Sequence, residues 1–190
     1  MERELDRAMS EEQFLAWAEG RDGRYELVEG RVTMQAGATR DHERVAKRIF
    51  SLLYAQVDEA RFDVNKGDFG VRIRPGEGRG SILYPDVVID AQSPTGAERA
   101  TLTPVVVIEV LSAGTDDDHH VQKFARDARR DTLRCYAVFD QKRPRTHLWT
   151  WGDGGRPDAP ALVEGSAAEI VFPVIGARLR LADIYRPIPG

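Results

Sequence analysis

The chain is poor in the features that would announce a simple chemistry. It has one cysteine, Cys135, in 190 residues, which excludes an intramolecular disulfide. That thiol sits in an apolar run, CYAVF, with no Cys–His pattern beside it, so a buried side chain in a reducing compartment is expected. No apolar run approaches the roughly 20 residues of a membrane span. The opening stretch MERELDRAMSEEQF lacks the apolar core of a signal peptide. A cytoplasmic protein with no membrane partner is the expectation. Repeats, low-complexity tracts and a Ser/His/Asp signature are absent. An excess of positive charge is lacking too: 27 Lys and Arg face 31 Asp and Glu, a net charge of −4. The whole molecule therefore carries no electrostatic footprint for nucleic acid. Basic residues do cluster locally, at Arg40, Arg44, Lys47 and Arg48, at Arg126, Arg129, Arg130 and Arg134, and at Lys142, Arg143 and Arg145. The default reading of each cluster is a solvated face.

What is present suits one globular domain over residues 1–190, with 42% hydrophobic residues to build a core. Ser10, Glu11, Glu12 and Gln13 form a capping box ahead of a short helix that Gly20 ends. Arg24 to Val28 and Arg31 to Gln35 read as a hairpin around Glu29-Gly30. Val45, Ile49, Leu52, Leu53 and Val57 recur with helical period, which predicts a long helix from about Thr39 to Asp58. Strands are expected at Arg61–Asn65, Gly70–Arg74, Tyr84–Asp90 and Val105–Ser112, and a helix from Asp116 to about Arg130. A strand pair at Cys135–Asp140 and Thr146–Trp151 follows. Short strands near Ala161–Val163 and Ile170–Phe172 precede a last turn at Leu181–Tyr185. This order is that of a mixed α/β domain built on a central sheet.

The chemistry begins at VVVIEVLSAG. Glu109 lies in a strand apolar enough to be buried on both faces, and a carboxylate there is costly unless something compensates it. Alternation puts Glu109 on one face with Val107 and Leu111. Asp86 opens another apolar run, YPDVVID. If the two strands are neighbours, the two acids meet, and their repulsion is relieved by a hard divalent cation, Mg²⁺ or Mn²⁺. The plain alternative for Glu109 is a buried pair with Lys or Arg; for Asp86 it is a turn carboxylate after proline. Lys123, on the next helix, lies one turn from His119 and Asp127, and by spacing alone it reads as a surface lysine.

YELVEGRV from Tyr25 to Val32, His42 near the start of the long helix, YPDVVID, VIEVLS and Lys123 occur in this order. Together they resemble the Uma2 family of nucleases within the PD-(D/E)XK superfamily, over about Ser10 to Tyr185. The resemblance implies a restriction-endonuclease-like core, a central mixed sheet flanked by helices, with an N-terminal helix and hairpin. It implies a metal-dependent endonuclease acting on DNA, with RNA left open and a homodimer as the working assembly. Asp86 and Glu109 match the metal-binding acids, and the carbonyl of Val110 would be a further Mg²⁺ or Mn²⁺ ligand. The superfamily's lysine normally stands two residues after the Glu, where this chain has Leu111. Within the family it is taken to lie on the following helix, and Lys123 matches it. Glu26 and His42 match auxiliary positions. His119, Asp127 and Asp131 depart from the family pattern on that same helix, which supports a competing expectation: a nuclease fold serving as a binding or assembly module.

Overall fold

The description rests on a computed structural model and covers residues 8–35, 37–73, 79–92, 96–111, 132–152, 155 and 157–187. The expected helix at 116–130, with Lys123, lies outside them.

Its elements follow the predicted order. Helix α1 is Glu11–Ala18, followed by β1 (Tyr25–Val28) and β2 (Arg31–Met34), α2 (Arg40–Tyr54), β3 (Phe62–Lys66), β4 (Gly70–Ile73) and β5 (Ser81–Leu83). Next come β6 (Val87–Ala91), β7 (Ala100–Thr101), β8 (Pro104–Val110), β9 (Cys135–Phe139) and β10 (Arg145–Thr150). The chain continues with β11 (Ala161–Glu164), β12 (Glu169–Phe172), β13 (Ala177–Arg180) and a terminal turn of helix, α3 (Leu181–Ile184).

The strands form two large sheets rather than the one expected from sequence. A six-stranded sheet runs β11-β10-β9-β8-β6-β3, and a five-stranded sheet runs β2-β1-β5-β4-β7. Both are mixed: β8 is parallel to β9, and β4 is parallel to β7. β12 and β13 form a separate hairpin. The expected central sheet is the six-stranded one. The second was missed because β5 and β7, three and two residues long, show no period of two, and β5 is the strand that joins the expected hairpin to β4.

Three apolar layers hold these parts. Phe14 of α1 packs with Leu27 and Ile82 on the outer face of the five-stranded sheet. Val71 and Ile73 of β4 meet Val88, Val107, Val138 and Trp149 between the two sheets. Val45, Ile49 and Leu53 of α2 pack with Ile89, Val106, Ile108 and the β12–β13 hairpin on the far side of the six-stranded sheet. β8, in the middle, is buried on both faces, and its side chains alternate between the last two layers. Cys135 is wholly buried there, as expected, and burial pushes its thiol far up.

Local sequence explains the two ends that matter most for the site. Ser10 and Gln13 make the reciprocal capping box of α1. Thr39, not a helical residue as expected, is the N-cap of α2 and accepts from the His42 amide at 3.2 Å. It also donates to Gln141 across the sheet at 2.6 Å. The first turn of α2, and His42 with it, is therefore held against the C-terminal end of β9.

Candidate metal centre at the junction of the two sheets

The chain leaves the five-stranded sheet after Leu83 and enters the six-stranded sheet at Val87. Tyr84, Pro85 and Asp86 are the crossing. Sequence patterning placed this stretch inside a strand, but the ladder begins one residue after Asp86. Pro85 has no N–H to contribute, and the Asp86 carboxylate takes up a backbone donor itself. Its Oδ2 accepts from the Val110 amide at 2.8 Å. In return the Asp86 amide donates to the Glu109 carboxylate. β6 and β8 are antiparallel neighbours with Val87 opposite Ile108. Carrying that register one residue further puts Asp86 opposite Glu109, so the two acids do meet at one end of the sheet.

Glu26 joins them from the other sheet. Leu27 beside it points into the α1 layer, so alternation turns Glu26 toward the space between the sheets. Its Oε1 accepts from the Tyr84 amide at 2.9 Å, and the Gln35 side chain also donates to it. His42 comes from α2. Its Nε2 lies 3.2 Å from Asp86 Oδ2, with both side chains about nine-tenths buried.

Burial is the first cause of the electrostatics here. It raises the Glu26 carboxyl, and the nearby Asp86 charge raises it further. Glu109 is driven well above the usual carboxylate range, first by desolvation, then by the charges of Asp86 and Glu26. No Lys or Arg among the described residues forms an ion pair with Glu109. Arg24 is the cation whose field reaches both Glu26 and Glu109. His42 is raised, chiefly by its hydrogen bond to Asp86 and then by the Asp86 charge, with burial opposing, and the Val110 carbonyl adds to the rise.

This donor set fits a hard divalent cation. Three carboxylates repel one another at a poorly solvated point, and the Val110 carbonyl, expected as a ligand from the family resemblance, lies beside His42. His42 Nδ1 is buried with no hydrogen-bond partner among the described residues. The arrangement is a chain of acids along the junction: no group of three His, Cys, Asp or Glu residues among the described ones forms a ready-made cage. Leu111, where the superfamily lysine would stand, packs into the layer between the sheets. Arg24, Gln35 and the crossing at Tyr84 were not singled out from sequence. The only signal for Arg24 was its place beside YELVEGRV.

The architecture is that of a nuclease-like fold. A crystal structure described as "a putative nuclease belonging to DUF820" from Anabaena variabilis superimposes with a TM-score of 0.71, covering 93% of this chain and 97% of that one at 15% identity. Residues 11–182 match the Uma2 family model, described as "Putative restriction endonuclease", and the chain belongs to that family. Two uncharacterized Synechocystis proteins are similar. For sll1609 the match is 27% identical over 61% of this chain and spans just under two thirds, 66%, of that protein. For slr1290 it is 22% identical over 94% of this chain and 92% of the relative.

Proposed function

We propose that the protein is a metal-dependent endonuclease that hydrolyses phosphodiester bonds of DNA. The observation that carries this reading is Glu109, a desolvated carboxylate set opposite Asp86 with no ion-paired side chain among the described residues. Mg²⁺ or Mn²⁺ would be held by Asp86, Glu109 and the Val110 carbonyl, with Glu26 at its edge. Such an ion supplies a water of lowered pKa and neutralises phosphate charge. The chain's own residues do the rest. Two reciprocal hydrogen bonds, the Asp86 amide to the Glu109 carboxylate and the Val110 amide to the Asp86 carboxylate, fix the acids at the sheet junction. His42 orients the Asp86 carboxylate. The apolar layer around Val107 and Leu111 excludes bulk water from one side. Lys123, outside the described residues, is proposed to assist the attacking water or the phosphate.

Supercoiled plasmid incubated with purified protein should be nicked with Mg²⁺ or Mn²⁺ and not with EDTA. Glu109→Gln should lower the rate at least about a hundredfold with an unchanged circular dichroism spectrum, as expected when one metal-ligating charge is lost. No metal-dependent cleavage of DNA or RNA by the wild type would refute the hydrolase reading. One observation favours the second reading, a nuclease fold used for binding or assembly. Asp86 Oδ2 already receives both the Val110 amide and His42 without a cation. A Mn²⁺ titration that produces no heat would support that reading.

A further inference from the structure

A cleft of about 230 Å³ is lined, among others, by Arg24, Gln35, Gly67, Tyr84 and Arg99. Two of these residues hold the Glu26 carboxylate, and a third bonds the backbone of Asp86. Gln35 and the Tyr84 amide hydrogen-bond Glu26. The Gly67 amide donates to the Asp86 carbonyl at 3.3 Å. The cleft is thus walled in part by residues bonded to Glu26 and to the backbone of Asp86.

The cleft contains two guanidinium groups in different states. Arg99 is bound to Glu19 at 2.7 Å on the rim, where both are exposed. Arg24 is half-buried, and the one hydrogen bond that its guanidinium makes among the described residues is a long 3.4 Å contact to the Gly67 carbonyl. It forms no ion pair with a carboxylate among those residues. A partly desolvated guanidinium with most of its donor fork unassigned, facing a concave space, is suited to an oxyanion that takes two parallel hydrogen bonds. Size limits the ligand. Pockets that enclose drug-sized molecules run from roughly 300 to 1,000 Å³, so this one takes a phosphate and its sugar rather than an enclosed nucleotide. Asp68, exposed on the same wall, opposes an anion.

We propose that this cleft seats a backbone phosphate of the polynucleotide next to the bond that is cut, with Arg24 as its anchor. The proposal rests on the nuclease reading and names how the same site grips its substrate. The Arg24 fork binds that phosphate from the wall of the cleft. Leu111 leaves this end of β8 without the usual lysine, and Arg24 brings a positive charge to the junction from the other sheet.

The test is equilibrium binding of a fluorescein-labelled DNA oligonucleotide by anisotropy, with Ca²⁺ as the cation, across a salt series. Arg24→Gln should weaken binding about tenfold and reduce the salt slope by about one. Asp68→Asn should tighten binding about twofold by removing an opposing charge, a gain that structural damage does not produce. Wild-type affinity in Arg24→Gln, or no tightening in Asp68→Asn, overturns the proposal. Full competition by inorganic phosphate at the oligonucleotide's own concentration also overturns it, because the seat would then recognise a free anion. Arg24-independent binding together with metal-dependent cleavage defeats the seat alone. Arg24-dependent binding by a wild type that never cleaves defeats the hydrolase reading alone.

Discussion

Asp86 precedes β6 and Asp90 stands near the strand's other end, where it tests the electrostatic reasoning without touching the candidate centre. Asp90 is 5% exposed and stands directly opposite Asp63 on β3. Burial is the main reason its pKa rises from 3.8 to about 6; Thr101 and Asn65 hydrogen bonds oppose the rise and the Asp63 charge adds to it. Asn65 Nδ2 donates to Asp90 Oδ1 at 3.1 Å. Because the folded-state value lies above the unfolded one, the unfolded chain ionises first as pH rises. Stability therefore falls between about pH 4 and pH 6, and the full cost is present above that window. A rise of about two pH units corresponds to roughly 3 kcal/mol at 1.36 kcal/mol each. Asp90→Asn removes the charge, keeps an oxygen for Asn65, and offers an N–H to Asp63. The variant should be more stable than wild type by roughly 2–3 kcal/mol at pH 8 and about equal to it at pH 4. Urea denaturation at a series of pH values measures the difference. Equal stability at pH 8, or a gain that persists undiminished at pH 4, would refute the claim that desolvation and Asp63 set the Asp90 equilibrium.

The same logic yields two further expectations. In EDTA, His42→Ala should cost about 1 kcal/mol for the lost hydrogen bond to Asp86. Its folded-state pKa is raised, so that stabilisation is present below the unfolded value of 6.5 and lost as pH rises through the folded one. The deficit measured by denaturation should thus be larger at pH 6 than at pH 9. Thr39→Ala removes both the cap of α2 and the bond to Gln141, and should destabilise by about 1–2 kcal/mol. If His42 orients Asp86 as proposed, the Thr39 variant should also lose plasmid cleavage by more than its unfolded fraction accounts for.

Much of the local structure was legible in the residues. The capping box at Ser10, the turn at Glu29-Gly30 and the apolar stripe of α2 each depend on contacts within a few positions, so their sequence spacing is their structure. The doubly buried strand at Glu109 was visible for the same reason, and its alternation with Val107 and Leu111 holds. The composition of YPDVVID and VIEVLS also located two acids that needed a common partner.

What tertiary structure decided was which groups share a point in space. That Asp86 faces Glu109 follows from the pairing of β6 with β8, and no local pattern specifies a strand's neighbour. That Glu26 joins them required a second sheet whose short strands carry no readable period. Arg24 and the cleft beside it are products of the crossing at Tyr84–Asp86, where two sheets meet. Propensity and hydrophobic pattern act over a turn or a strand, but a site is assembled by burial acting over the whole chain. The sequence by itself therefore determined that Glu109 must be compensated, and only the packing of one sheet on the other decided which charges surround it.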